Sequence, residues 1–324
     1  MDLSTKYMGL NLKNPIIIGS SGQSNSVEKI VKLAENGAGA IVLKSLFEEQ
    51  ILSETSKNIE ENLAYFPDAF DYISAYTKEN NLTEYLTLIE EAKKKVEIPI
   101  IASINCISTK EWTNFAKNIE SAGADALELN VSMLPSEENR TSKENEQIYF
   151  EIIEKIKPQI SIPLSLKMSH FSAGLSNLVR KLSWTKMIDS IVLFNRYFNP
   201  DIDINNFKIT SSGVFSTPED ISISLRWIAL LSDKVHCNLA ASTGVHSGEG
   251  VIKQLLAGAT AVQIVSVIYK YGPEYISTIL NDLTTWMEKK NFNSIDDFRG
   301  KLSGKENTAS FERIQYMKYF GGIE

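Results

Sequence analysis

The chain is expected to fold as a single (β/α)8 TIM barrel, an α/β fold, with an N-terminal β-hairpin and long loop insertions at the C-terminal face. Three observations predict this. Short apolar, β-branched runs alternate with helical stretches along nearly the whole sequence, which implies a parallel sheet. Eight such units can be picked out, and eight favour a closed barrel over an open sheet. No Gly-x-Gly-x-x-Gly follows the first strand, which weakens the dinucleotide-binding alternative. The 324 residues are read as one domain, 1–324, although their number alone would also allow two modest ones.

In order, Leu3 to Tyr7 and Leu10 to Lys13 flank Met8-Gly9 and read as a small hairpin placed to plug the barrel bottom. Pro15 to Ile18 is the first strand, ending at Gly19-Ser20-Ser21-Gly22. Ser26 opens a helix through Asn36, with Val27, Ile30, Val31 and Ala34 on one face. Ala40 to Leu43 is the second strand and ends at Lys44-Ser45. Ser53 to Asn80 breaks the rhythm, polar at first and then aromatic through Tyr65, Phe66, Phe70, Tyr72 and Tyr76; a long connection at this end of a barrel often serves as a substrate lid. Leu82 to Val96 is helical, and Ile98 to Ile104 is the third strand, ending at Asn105-Cys106.

Lys110 to Ala122 is a helix closed by Gly123. Ala126 to Leu129 is the fourth strand, stopping on Asn130 and Ser132. Ser142 to Ile156 is the next helix, and Pro163 to Leu166 the fifth strand, ending at Lys167. Leu175 to Leu182 is a short helix, and Ser190 to Phe194 the sixth strand, ending at Asn195-Arg196. Tyr197 to Ser216 is a second long insertion; Pro218 then sits at a helix N1 position, with the helix running to about Leu231. Val235 to Ala241 is the seventh strand, ending at Ser242-Thr243-Gly244, and Gly250 to Leu256 is helical. Ala261 to Ile264 is the eighth, ending at Val265-Ser266, and Glu274 to Lys289 and the tail from Ile295 supply more helix.

Composition narrows the function classes. With 43% hydrophobic and 23% charged residues, the chain is an ordinary globular protein. A net charge of -7 argues against non-specific nucleic-acid binding and against an anionic membrane surface. Cys106 and Cys237 are far apart and have no CxxC partner, which fits a reducing, cytoplasmic compartment without a disulfide framework or zinc site. The N-terminus reads as carrying no signal peptide, and no apolar run approaches the roughly 18 residues a membrane span needs.

The strand ends would ring one mouth with Gly19, Lys44, Asn105, Asn130, Lys167, Asn195, Thr243 and Ser266. Barrel enzymes place their chemistry there. Ser242-Thr-Gly-Val-His-Ser-Gly-Glu-Gly250 follows a strand and opens a helix, and Val265-Ser266 follows the next strand. Barrels frequently hold a phosphate between these two loops, although the same glycines also suit plain turns. Lys44 and Lys167 each follow a buried run, so each needs an anionic partner or a solvated mouth. The amides of Asn130 and Asn195 suit a planar heteroaromatic ring with donors and acceptors, or simple strand-end capping. His170 could reach the mouth, and Cys106 reads as a small buried strand-end residue or a displaced nucleophile. No carboxylate pair points to a glycosidase, and no His cluster points to a metal.

At these residues the chain resembles the dihydroorotate dehydrogenase family of FMN-dependent (β/α)8 barrels. The resemblance covers nearly the whole chain and rests on Asn14-Pro15, Lys44-Ser45, Glu128-Leu-Asn-Val-Ser132, Leu166-Lys167 and Ala257-Gly-Ala-Thr-Ala-Val-Gln-Ile264. It implies that Ser20, Ser21, Lys44, Ser45, Asn130, Lys167 and Asn195 line flavin and substrate. Gly213, Thr243, Gly244, Val265 and Ser266 would hold the ribityl or phosphate groups. Asn62, Tyr65, Asn130, Asn195 and Arg196 would meet the substrate, and Lys167, Ser132 and Lys44 would carry catalysis.

The departures from the pattern lie in its substrate half. The family's catalytic Cys or Ser position is Met133, its next substrate asparagine is Pro135, and the glycine of the insertion motif is Tyr65. Arg196 stands where the family often has Ser.

The resemblance implies an FMN oxidoreductase acting on a CH–CH group, dihydroorotate to orotate in pyrimidine biosynthesis. The partners implied are a small-molecule substrate, no nucleic acid and no membrane, with a homodimer as a candidate assembly. Fumarate, a nicotinamide nucleotide through a partner subunit, or another soluble acceptor stay open. So do a different dihydropyrimidine or enoate substrate, and a flavin-binding protein lacking dehydrogenase activity.

Overall fold

Each short apolar run becomes a strand, and alternate residues along it separate the inside of a barrel from its helical coat. The computed structural model describes residues 1–47, 70–105, 109–131, 133–197 and 199–312. In chain order these contain β1 (Thr5–Tyr7), β2 (Leu10–Leu12), β3 (Ile16–Ile18), α1 (Val27–Glu35), β4 (Ala40–Val42), β5 (Leu46–Phe47), α2 (Phe70–Lys95), β6 (Ile100–Asn105), α3 (Thr109–Ser121) and β7 (Ala126–Asn130). There follow α4 (Ser142–Ile156), β8 (Leu164–Met168), α5 (Leu175–Trp184), β9 (Ser190–Leu193), β10 (Pro200–Asp203), β11 (Lys208–Ser211) and α6 (Ile221–Leu231). The order ends with β12 (Asn238–Ser242), α7 (Gly248–Ala257), β13 (Ala261–Ile264), α8 (Ser266–Tyr271), α9 (Tyr275–Lys289) and α10 (Gly304–Glu312).

The eight parallel strands β3, β4, β6, β7, β8, β9, β12 and β13 close into a ring, the last pairing Gln263 with Ile17 of the first. The short β5 continues along β6 beyond the end of β4, pairing Leu46 with Ile104. Ile17, Ala40, Val42, Ile101, Ala126, Val192, Ala240 and Ala261 form one inner cluster with Tyr7, Met8 and Leu12 of the hairpin. The hairpin therefore plugs the barrel bottom, as its sequence predicts. Its Met8-Gly9 turn has φ of 55° and 79°, the paired left-handed geometry that matches strand twist. Met8 N–H donates to Asn238 Oδ1 at 2.8 Å and Tyr7 Oη accepts from Ser190 at 2.8 Å. Ile16, Ile18, Ile41, Leu127, Leu129, Leu166, Leu193, Val262 and Ile264 face outward into the helical coat. Each such fully buried side chain stabilises the fold by about 1.5–3 kcal/mol.

Two matching interlocks tie helix, strand and neighbour at the barrel bottom. Asp125 accepts Ile100 N–H and pairs with Lys93, both at 2.7 Å. Asp189 accepts Leu164 N–H at 2.8 Å and pairs with Lys157 at 3.5 Å.

Several expectations need correction. In α1 Ile30 is buried and Ala34 packs partly buried against the core, within the expected stripe of Val27, Ile30, Val31 and Ala34, and Leu33, outside that stripe, is buried as well. The helix expected from Leu82 begins at Phe70, because no Gly or Pro interrupts the sequence between there and Lys95. The C-terminal part of the presumed lid is thus helix, and the rest of Ser53 to Asn80 lies outside the described residues. The second insertion, Tyr197 to Ser216, has no internal structure predicted from sequence. It folds into the β10–β11 hairpin, with Ile202 opposite Ile209 and Phe207 at φ 51°. A further short helix, α8, follows the eighth strand directly.

Candidate active site

Moving up the barrel axis, the inward positions change from apolar to polar. Above Ala126 come Glu128 and Asn130 on β7, above Ala261 comes Gln263 on β13, and Ser165 and Lys167 occupy β8. The strand ends enclose a cavity of about 510 Å3, within the range of cofactor and substrate sites. Twelve of the residues singled out from sequence line it together: Ser20, Ser21, Lys44, Ser45, Asn130, Lys167, Asn195, Arg196, Thr243, Gly244, Val265 and Ser266.

The floor is a charged network. Lys167 is 7% exposed and its Nζ donates to Gln263 Oε1 at 2.9 Å. Gln263 Nε2 donates to Glu128 Oε2 at 2.6 Å. Lys167 Nζ stands 3.8 Å from Glu128 Oε1, a buried oxygen with no hydrogen-bond partner among the described residues. The anionic partner that a buried lysine requires is therefore Glu128. Lys44 takes the other option open to a strand-end lysine: it is exposed at the rim.

One wall is a chain of amides and hydroxyls. Asn195 Nδ2 donates to Asn130 Oδ1 at 2.6 Å, and Asn130 Nδ2 to Ser45 Oγ at 3.4 Å. Ser45 Oγ lies 2.9 Å from Ser20 Oγ and 2.8 Å from Ser103 Oγ. These contacts fix the asparagine amides at the cavity wall.

The opposite end is backbone. Gly244 has φ 79°, and a Cβ there would overlap the backbone of Asp220 and Ile221, so only glycine fits. Its neighbour Thr243 is β-branched yet has φ 77°, a conformation costing about 1–2 kcal/mol. Its hydroxyl donates to Phe194 O at 3.1 Å. Among the described residues, the N–H groups of Gly244, Val245 and Ser266 donate to no protein acceptor. Ser266 Oγ accepts from Ser216 N–H at 2.9 Å, and Ser216 Oγ lies 2.9 Å from His246 Nε2. Burial, helped by the Lys270 charge, holds the His246 imidazole below its ordinary pKa.

Other expected residues fall differently. Gly213 is outside the cavity lining, and its carbonyl accepts from Arg196 Nη2 at 3.1 Å. Arg196 also donates to Val214 O at 2.9 Å and pairs with Asp220 at 3.9 Å, so its guanidinium is turned to the loop and helix. His170 lines an adjoining chamber of about 270 Å3 that shares Asn195, Arg196, Ser242 and Thr243 with the main cavity, its ring 4.2 Å from that of Phe171 and 5.7 Å from that of Phe194. Burial lowers its pKa. Met133 packs half-buried against the core, and its carbonyl accepts from Ser169 Oγ at 2.8 Å. Asn62, Tyr65, Cys106 and Ser132 lie outside the described residues.

Sequence reasoning missed Glu128 and Gln263. The signal was present as single polar residues inside otherwise apolar strands, Ala-Leu-Glu-Leu and Ala-Val-Gln-Ile, since a buried charge or amide must be paired. Ser216 and Tyr269, also in the lining, carried no such mark. Among the described residues no group of three or more His, Cys, Asp or Glu could hold a metal. The cavity thus combines a buried cation, oriented amides and a rim of unengaged N–H groups. That set can hold a planar heteroaromatic ring at one end and an anion at the other.

Comparison with known proteins agrees with this architecture. The family model described as dihydroorotate dehydrogenase matches residues 2–287. A protein of Thermoplasma volcanium named dihydroorotate dehydrogenase B (NAD(+)), catalytic subunit, is 26% identical over 308 residues, covering 92% of this chain and 98% of the relative. A protein of the same name from Methanocaldococcus jannaschii is 24% identical over 296 residues, 89% of this chain and 94% of the relative. A third, from Caldicellulosiruptor saccharolyticus, is 26% identical over 312 residues, 94% of this chain and 100% of the relative. A match over most of the chain, onto a closed barrel whose polar strand ends share one cavity, places this protein in the dihydroorotate dehydrogenase family.

Proposed function

We propose that this chain is an FMN-dependent oxidoreductase acting on a CH–CH group beside a carbonyl, of the dihydroorotate-to-orotate type that serves pyrimidine biosynthesis. The observation that carries the reading is the buried Lys167 on the cavity floor, facing a rim of unengaged N–H groups across about 510 Å3. When bound, FMN supplies a two-electron acceptor for substrate hydride that a second substrate reoxidises.

The chain's own residues do the rest. Lys167 supplies a fixed cation where negative charge accumulates on reduction. Asn130 and Asn195 present donors and acceptors to ring and substrate, steadied by Ser45 and Ser20, with Ser21 lining the cavity beside them. Thr243, Gly244, Val265 and Ser266 hold the ribityl and phosphate groups, with Gly213 acting through the loop it anchors to Arg196. Lys44 gathers anionic substrate at the solvated mouth. Asn62 and Tyr65 complete the substrate contacts, and Lys167, Ser132 and Lys44 carry catalysis. The whole chain works as one flavin-binding domain.

Ser266→Asp tests the phosphate end. Gly244→Asp is a poor choice because it disrupts packing first. Ser266 is only half-buried, and a carboxylate there repels a phosphate. The expected result is a folded protein whose FMN affinity falls tenfold or more, about 1.4 kcal/mol. Full FMN occupancy after dialysis would place the phosphate elsewhere.

The relatives' names as NAD(+)-linked catalytic subunits support a nicotinamide nucleotide, reached through a partner subunit, as the acceptor. No helix among the described residues is long and apolar enough to cross a membrane, which supports a cytoplasmic location.

The β10–β11 hairpin supports a homodimer. Ile202 and Ile209 share one face of the ribbon and are 68% and 80% exposed, and Phe207 at its turn is 91% exposed. An isolated two-stranded ribbon is marginally stable in water, and a second copy covering that face leaves the charges of Asp201, Asp203 and Lys208 on the opposite face solvated. Sedimentation should show a dimer that Ile209→Asp converts to monomer; a monomeric wild type refutes this assembly.

A specific feature of the sequence favours a second reading: by the resemblance, Met133 and Pro135 stand at the family's proton-handling and substrate-binding positions. The substrate would then be another dihydropyrimidine or an enoate, or turnover would be absent. One experiment decides. Purified protein is expected to be yellow and to bleach anaerobically with dihydroorotate. Bleaching only by other dihydropyrimidines or enoates selects the second reading, no bleaching by any selects a flavin-binding role, and colourless protein that takes up no FMN refutes all three.

A further inference from the structure

Glu128 is a carboxylate at 1% exposure in the barrel interior, a placement whose desolvation costs several kcal/mol. Packing cannot account for it, since an apolar residue would fill the same volume without that cost. Its surroundings are specific. Oε2 accepts Gln263 Nε2 at 2.6 Å, Oε1 has no hydrogen-bond partner among the described residues, and Lys167 Nζ is 3.8 Å away. The ammonium in turn donates to Gln263 Oε1 at 2.9 Å. An ammonium only donates and a carboxylate only accepts, so Gln263 has one amide orientation that serves both. Lys167 is thus drawn between a direct ion pair below it and an amide that carries the same negative charge by polarisation.

We propose that Glu128 is a positioning residue that fixes Lys167 and sets how much of its positive charge reaches the cavity, so that the floor presents a lysine–glutamate dipole rather than a full cation. This rests on the flavin reading above. With Glu128 ionised, the anionic reduced form of a bound flavin gains less from Lys167 than it would from an unpaired ammonium. The carboxylate therefore keeps the flavin a better reductant and favours passing electrons onward.

The test is the two-electron reduction potential of the FMN-loaded protein, read with reference dyes. Glu128→Gln keeps the size and removes the charge. The expected result is a positive shift equivalent to tenfold or more in the reduced-to-oxidised ratio, 29.6 mV per decade for two electrons, while Glu128→Asp stays near wild type. A folded Glu128→Gln protein with lower thermal stability and an unchanged potential assigns Glu128 a purely structural role and overturns the proposal.

Should Glu128→Gln fail to fold, Lys167→Met and Lys167→Met/Glu128→Gln carry the test. Removing both partners of a buried pair is far better tolerated than removing one. The single variant should shift the potential down, and the double variant should return it upward. Equal potentials in these two overturn the proposal. A wild type that takes up no FMN defeats the flavin reading instead, which distinguishes the two failures.

Discussion

Lys167→Ala should give a folded protein that binds FMN yet reduces it on the order of 100- to 1,000-fold more slowly with substrate, the loss typical of one preorganised charge aimed at developing charge. The expectation follows from the floor geometry. Lys167 is buried and fixed by Gln263 at 2.9 Å and by Glu128 at 3.8 Å, so it pays no reorganisation when negative charge appears above it. The substitution also has a structural cost, because it leaves Glu128 without its counter-charge, and orphaning one member of a buried pair costs about 3–5 kcal/mol. Thermal stability should fall with the rate, and the two must be separated. Lys167→Arg does this: it restores the charge and most of the stability but alters donor geometry. Stopped-flow mixing with dihydroorotate reads the reductive half-reaction directly. A folded Lys167→Ala protein with wild-type reduction kinetics would remove Lys167 from the chemistry.

How much of this was legible in the sequence depends on which force sets each feature. The barrel was legible because burial of a parallel strand on both faces forces apolar runs such as Ile16-Ile-Ile18, and their spacing counts the units. The mouth was legible because a polar residue ending such a run has nowhere else to go, which is how Lys44, Asn130 and Lys167 came to share one cavity. Glu128 and Gln263 escaped because they sit one inward position deeper than the strand end, within strands read as apolar. Arg196 shows another limit. Its residue type suggested substrate, but its donors are taken by Gly213 and Val214 carbonyls and by Asp220, partners that no local pattern reveals. The start of helix α2 and the β10–β11 hairpin were under-read because each lies inside a stretch that reads whole as an insertion. The strain at Thr243 was invisible, because its left-handed backbone and the bond from its hydroxyl to Phe194 O are set by tertiary structure and leave no local pattern.

Met133→Cys should raise the rate of flavin reduction by dihydroorotate by about 10²- to 10⁴-fold, the contribution of one positioned base. Oxidising dihydroorotate removes a hydride from one carbon and a proton from its neighbour, and the proton needs an acceptor. A thioether has no proton-accepting role at any working pH, so the wild type should turn over dihydroorotate slowly unless Ser132, Tyr65 or Cys106 substitutes. The backbone for the change is already held, since Ser169 Oγ donates to Met133 O at 2.8 Å and that bond does not depend on the side chain. Met133 packs half-buried against the core, so the shorter cysteine gives up part of this packing, a loss on the order of 1 kcal/mol. The pH dependence supplies the signature. A thiol near its ordinary pKa of about 8.5 is protonated and inactive as a base below that value, so the gained rate should climb as pH rises through it and level off above. A pH-independent gain would mean that the substitution acts by making room rather than by accepting a proton. A wild type already fast with dihydroorotate, and not improved by Met133→Cys, would show that another group is the base. If neither protein reduces its flavin with dihydroorotate while another dihydropyrimidine does so, the replacements at Tyr65, Pro135 and Arg196 have moved the site to a different substrate, and the thiol has restored a base with no proton to take.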